Sequence, residues 1–242
     1  MKNNFTISRV LNDAYNEIAN NIGFYLQLSL IYLVSFFVLG FILGILMATG
    51  IKALIYVFGI ISFVYLTMKL AIIVHQAVLL DDYRLAKIFS WQSYDKKYLA
   101  NVFVLVLMMI IFFSILYFFI QLLGSSKGLL TTFILIGMIT LGIVFSRLAP
   151  IFADAAIDGN LKFNEVWEKT SHYKGSLFVL IVIVPGGLEK IINLIPQTSL
   201  LFVFLNAFFL MFVAFFQIAI ISHSYKIIFE ENETQEDGTF LM

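Results

Sequence analysis

The chain has no cysteine, only three prolines and little charge. Without cysteine there is no disulfide, no thiolate nucleophile, no iron–sulfur cluster and no thiolate zinc site. A disulfide-free chain suits either side of a membrane, so that absence does not place the protein. Charged residues make up 12% of the 242 positions, about half of the roughly 25% usual in a soluble domain. Fifteen Lys and Arg balance fifteen Asp and Glu, so no bulk field draws nucleic acid. The first polar stretch carries Asp13 and Glu17 and lacks the short basic head of a signal peptide, so the first apolar segment is expected to be a retained anchor. No P-loop, GxSxG, HExxH or Gly-rich dinucleotide loop occurs, and no polar connection is long enough to build a platform for soluble cosubstrates.

What is present is apolar, at 61% of the chain, and it is clustered. No Asp, Glu, Lys or Arg lies between Glu17 and Lys52, between Lys97 and Lys127, or between Lys190 and Lys226. Each gap exceeds the roughly 20 residues a helix needs to cross a bilayer. Lipid offers no partner for backbone groups, so the spans are helices, and the runs lack the alternation of a barrel. The sequence predicts an all-α polytopic membrane protein of six transmembrane helices: Phe24 to Ala48, Ala53 to Leu80, Val102 to Leu123, Leu129 to Ile151, Ser176 to Ile195 and Ser199 to Ile228.

Lys and Arg set the expected orientation. Lys2, Arg9, Arg84, Lys87, Lys96, Lys97, Arg147, Lys162, Lys169, Lys174 and Lys226 fall on one side, against Lys52, Lys127 and Lys190 on the other. Both termini and the two long connections are therefore expected in the cytosol. Apolar residues recur at helical spacing before each odd-numbered span: Ile7, Val10, Leu11, Ala14 and Ile18; then Leu85, Ile88 and Phe89; then Leu161, Val166 and Trp167, after an Asp158-Gly159-Asn160 turn. Each stripe predicts a short interfacial amphipathic helix.

That unit, an interfacial helix followed by a hairpin, occurs three times, over approximately 6–80, 84–157 and 160–229. Asp82 aligns with Asp158, Leu85 with Leu161 and Trp91 with Trp167, and Ala71 to His75 aligns with Ala219 to His223. The expected architecture is three hairpins in a pseudo-threefold array, with the even-numbered helices extending into the cytosol. The acidic stretch 230–242 reads as a solvated, disordered tail.

The run Arg147-Leu148-Ala149-Pro150-Ile151-Phe152, leading through Asp158-Gly159 to Val166-Trp167-Glu168-Lys169-Thr170, resembles the YciC-like family of bacterial inner-membrane proteins. It is similar also to the membrane domain fused to some glycerophosphodiester phosphodiesterases. Arg9 to Gly40 and Ile72 to Leu107 fit the same pattern, so the resemblance covers most of the chain. The chain departs from the family at Glu165, Glu168 and Lys169, where small or basic residues are common. The resemblance implies a polytopic helical fold in a bacterial cytoplasmic membrane. It implies no reaction and carries over no catalytic residue.

Several residues are candidates for function, each with a plainer reading. Lys69, inside the second span, suits contact with a lipid phosphate or an anion, or snorkelling to headgroups. Arg147, with Asp154 and Asp158 on following turns, suits a polar cavity, a proton relay or an ion pair between helices. His75, His223, Asp154 and Asp158 form a candidate polar cluster, without the local spacing of a metal site; no metal and no cofactor is expected. Pro185-Gly186-Gly187 interrupts the fifth span, as substrate-binding broken helices do in transporters, or marks a bend. Gly40 and Gly44 permit close helix packing within the protein or in a dimer. Lys96, Lys97, Lys169 and Lys174 lie beside Trp91, Trp167, Tyr94, Tyr98 and Tyr173, which suits a headgroup-level surface facing anionic lipid.

Three functions stay open. The favoured one is a non-enzymatic membrane protein binding lipid, itself or another membrane protein at the cytosolic leaflet. The second is a small-molecule or ion transporter or channel with a polar site between hairpins. The third is a lipid-processing enzyme.

Overall fold

The computed structural model describes residues 5–48, 52–123, 127–196 and 199–230. The acidic stretch beyond Glu230 lies outside them. The described residues are helical with no strand. Six helices are long and apolar enough to cross a membrane. They are α2 (Ile22–Ala48), α3 (Lys52–Leu80), α4 (Ser93–Leu123), α5 (Lys127–Leu148) continued by α6 (Pro150–Ala156), α8 (Lys174–Phe178) continued by α9 (Val184–Ile192), and α10 (Leu200–Tyr225). Two further helices, α1 (Ile7–Asn20) and α7 (Phe163–Lys169), precede the first and fifth spans. The protein is a multi-pass membrane protein. Large apolar side chains stand exposed along the spans, among them Phe37, Phe41, Ile60, Phe103, Phe118 and Leu201. Such a belt is stable only when lipid solvates it.

The spans pair as three hairpins, α2 with α3, α4 with α5, and α9 with α10. Helix α10 is central: it packs against α1, α2, α3, α6 and α9. The buried core gathers around the last turns of α3, all seven residues of α6, and α10 from Phe215 onward. Most candidate side chains sit at this same Lys/Arg-rich end. Close approach is bought locally by Gly142, where an added Cβ would lie 2.7 Å from the Phe178 ring, so α5 can pass α8.

The amphipathic stripes are present, but their apolar sides pack largely on protein. In α1, Thr6 caps the helix by accepting from the Arg9 N–H at 3.2 Å. Val10 and Ala14 are fully buried, with Ile7, Leu11 and Ile18 packed on the same core. The second stripe is a five-residue 3-10 turn, Leu85–Phe89, which buries Ile88 and exposes Phe89. The third is α7, which buries Val166 and leaves Trp167 partly exposed. The connections after α3 and α6 turn in the same way, with Asp81 (φ 50°) and Asp158 (φ 65°) in the left-handed region that Asp tolerates. By contrast, among the described residues no neighbour lies within 4 Å of an added Cβ at Gly40 or Gly44, so these glycines serve no close helix contact there.

Pro185 does not break the fifth span. The backbone runs on through a π-turn, Val179–Ile183, into α9. Proline lacks the N–H that would reach the carbonyl four residues back, which is that of Ile181. The Gln217 side-chain amide of α10 donates to this carbonyl at 3.0 Å instead. A tertiary hydrogen bond thus replaces a helical one, as membrane helices with proline require. Replacing Gln217 with Leu is expected to cost about 1 kcal/mol of unfolding free energy in detergent. In a Pro185→Ala background the new N–H takes the carbonyl and that cost should vanish. A double-mutant cycle of denaturant unfolding measures the coupling, and purely additive costs would refute this role for Gln217.

Candidate functional site

Polar candidates at the Lys/Arg-rich end fall into separate intramolecular contacts. Lys69 does not snorkel. Its ammonium is 1% exposed and meets the Asp95 carboxylate, 0% exposed, at 2.6 Å. It also donates to the Ser90 carbonyl. The pair ties the start of α4 to α3, and Asp95 Oδ2 accepts in addition from the local Gln92 N–H at 2.6 Å. Aromatic rings cover the pair: Tyr94 lies 5.8 Å from the ammonium, and Tyr65 stacks on Trp91. Both charges compensate one another where isolated ones would be costly.

Arg147 and Asp154 are not paired with each other. The Arg147 guanidinium lies over the Trp167 ring at 3.4 Å from its centroid and donates to the Trp167 carbonyl. Its Nε donates to the Thr170 hydroxyl at 3.4 Å. Arg147 thereby holds the end of α7 against α5. Asp154 accepts from the Tyr225 hydroxyl at 3.0 Å and from the Leu161 N–H at 2.9 Å. It fastens α6 to α10 and to the connection that follows it. Asp158 points elsewhere and pairs with Lys97 at 2.8 Å. The Lys97 hydrogen bond holds the Asp158 carboxyl below the usual carboxylate range. Lys97 also donates to the Asp158 and Gly159 carbonyls, so it clips α4 to this turn.

The two histidines do not converge. His75 Nδ1 lies 2.7 Å from the Ser222 hydroxyl, joining α3 to α10. His223, the next residue along, projects about 100° away around α10, and its buried Nε2 has no hydrogen-bond partner among the described residues. Gln76 donates to the Ala156 carbonyl at 2.7 Å, which satisfies an orphan at the end of α6. In the connection after α3, Arg84 and Lys87 bond the Asp82 carboxylate and hold it well below the usual range. Beside it, burial and the Glu17 carboxylate push the Tyr83 hydroxyl up to about 12. Among the described residues, no three of His, Cys, Asp and Glu come together as a metal-holding group.

Among the described residues, two features combine open surface with charged side chains. The first is the rim of the Lys/Arg-rich end, where Lys96, Lys169 and Lys174 are exposed, with Phe89, Trp91 and Trp167 also exposed. Lys169 lies 5.3 Å from the Phe229 ring. The second is a cleft of about 540 Å3 between the second and third hairpins. Its walls are apolar side chains of α4 and α5, and the fifth span contributes Pro185, Gly186 and Glu189. Gly187 is outside the lining.

The chain matches no family model, and no curated protein and no solved structure matches it. Geometry alone therefore carries the functional reading.

Sequence reasoning placed Lys69, Arg147, Asp154 and Pro185 as residues of interest but missed their partners. Asp95, Tyr225, Thr170, Ser222 and Gln217 were not singled out. Two signals in the sequence point to two of them. A lysine within an apolar run requires an acid, and Asp95 is the sole acid of α4. A proline within a span requires a donor, and Gln217 is a polar residue deep in the sixth run.

Proposed function

We propose that the protein is a non-enzymatic membrane protein that binds lipid, or a membrane partner, at its Lys/Arg-rich rim. The observation that supports this reading is the division among the candidate cations. Lys69, Arg147 and Lys97 are engaged within the chain. Lys96 and Lys174 stand exposed beside Trp91 and Trp167. Aromatic rings at headgroup level and cations toward anionic phosphates make a surface suited to lipid. The excess of Lys and Arg at this end favours a cytosolic orientation for it, with both termini in the cytosol. The YciC-like resemblance supports a bacterial cytoplasmic membrane as the location, and the alignment of the connections supports a threefold internal repeat.

The alternatives have less behind them. Transport through a broken helix would expose helix ends at Pro185, whereas Gln217 occupies the freed carbonyl. Lipid processing needs convergent acids or histidines, and Asp154, Asp158, His75 and His223 each face a different partner or direction.

The test is a triple substitution of Lys96, Lys169 and Lys174 with Gln. Each cation near an anionic surface contributes about 1 kcal/mol, so removing three should weaken retention of phosphatidylglycerol by roughly 100-fold. Native mass spectrometry of the protein in mild detergent reads this directly. Unchanged retention in a well-folded triple variant would sink the proposal.

A further inference from the structure

The cleft between the second and third hairpins has one ionisable residue in its lining, Glu189. That carboxylate is exposed, and among the described residues no ion pair or hydrogen bond engages it. Its neighbour Lys190 projects about 100° away around the helix and is not part of the lining. Glu189 sits within the fifth apolar span, one turn beyond Pro185. An unpaired carboxylate there requires water or a cationic partner. Apart from the Gln217 amide, which is engaged on the Ile181 carbonyl, the rest of the cleft is lined by apolar side chains and glycine. Leu105, Ile181 and Pro185 are buried and form its floor, whereas Met108, Met109 and Met138 are exposed at its mouth. These three methionines lie within membrane spans, so the mouth faces the bilayer.

We infer that this cleft is a binding site for a single aminophospholipid, with an acyl chain along the floor and the headgroup ammonium on Glu189. The dimensions agree. From Glu189 to Ile181 the helix rises about 12 Å, most of one leaflet's roughly 15 Å share of the hydrocarbon core. A volume of about 540 Å3 lies within the roughly 300–1,000 Å3 typical of ligand sites. Methionine side chains adapt to a flexible chain without a fixed shape. Charge selects the headgroup: a carboxylate at the mouth attracts an ammonium and repels a purely anionic lipid. Glu189 follows Pro185 toward the end of the fifth span remote from the Lys/Arg-rich rim, so the lipid enters from the opposite leaflet. The site is thus distinct from the rim in position and in headgroup charge.

Gly186 supplies a clean probe, because an added Cβ there meets nothing within 4 Å. Gly186→Phe would fill the cleft while leaving the helix contacts in place, and Gly186→Leu is a smaller plug. The experiment reconstitutes the full chain in nanodiscs with phosphatidylethanolamine or phosphatidylglycerol of identical acyl chains, one chain carrying a diazirine. Bound lipid is counted by native mass spectrometry, and crosslinks are mapped by peptide. The wild type should retain phosphatidylethanolamine in preference and crosslink to α4 and α5 near Met108 and Met138. Glu189→Gln should lower that retention about tenfold and abolish the preference. Both Gly186 variants should lose retention of either lipid with an unchanged thermal midpoint. Retention and crosslinks equal to wild type in the Gly186 variants would overturn the site. Loss in the Gly186 variants with Glu189→Gln unchanged would overturn the proposal as stated, leaving a groove without headgroup recognition. Because the rim substitutions use anionic lipid and leave the cleft intact, the two lipid proposals fail independently.

Discussion

Lys69→Met is expected to lower the unfolding free energy by roughly 3–5 kcal/mol, the range for removing one partner of a buried ion pair. The loss arises on the acid left behind. Asp95 would keep the Gln92 N–H but lose its cation, and its Oδ1 already has no hydrogen bond among the described residues. Asp95→Leu strands the ammonium in the same way, leaving it the Ser90 carbonyl and the Tyr94 ring. The double variant Lys69→Met, Asp95→Leu should recover most of the loss, because apolar replacement of a whole buried pair is commonly neutral or favourable. Denaturant unfolding in detergent, followed by circular dichroism, measures all three variants. A mild Lys69→Met, or a double variant as unstable as the singles, would mean that the pair does not bear stability. Lipid retention by Lys69→Met separates the remaining possibility. If Lys69 served a lipid phosphate, retention would fall in the refolded double variant as well.

Asp154→Ala is expected to cost about 3 kcal/mol, since a buried donor left without its acceptor loses roughly 1–3 kcal/mol and two donors are affected. These are the Tyr225 hydroxyl and the Leu161 N–H. The same carboxylate explains Gly159. A Cβ at that position would lie 2.0 Å from Asp154 Oδ1, so Gly159→Ala must displace the carboxylate and break its bonds. Gly159→Ala should therefore be about as harmful as Asp154→Ala, and harmless once Asp154 is already Ala. The cycle of thermal midpoints tests this, and hydrogen exchange over 157–162 should rise first because that turn loses its anchor. Additive effects of the two substitutions would show that Gly159 is needed for another reason.

Lys69 and Arg147 show why residues of interest were visible in the sequence and their roles were not. A charge within an apolar run stands out against its neighbours, so both positions were legible. What each charge does depends on which helix lies beside it. Asp154 follows Arg147 by seven residues, close to two turns, and sequence spacing suggested a shared face. Pro150 starts a separate short helix between them, and the two side chains diverge to α7 and α10. His75 and His223 were related by sequence alignment alone. In space it is Ser222, one residue earlier, that reaches His75, because a single step around a helix turns a side chain by about 100°.

The sequence by itself determined that the chain is an all-α membrane protein with six spans in three hairpins and an excess of positive charge at one end. Those properties follow from lipid acting as solvent: length, hydropathy and charge act on each segment separately, and no knowledge of neighbours is needed. Only the tertiary structure decided that Lys69 meets Asp95, that Gln217 heals the gap left by Pro185, and that Glu189 faces a largely apolar cleft with no partner among the described residues. Between helices in lipid, the lipid tails are as apolar as the core, so hydrophobicity does not select contacts. Helix association then depends on packing and on a few polar pairs across interfaces, and these are fixed by rotation and tilt that a linear pattern does not encode.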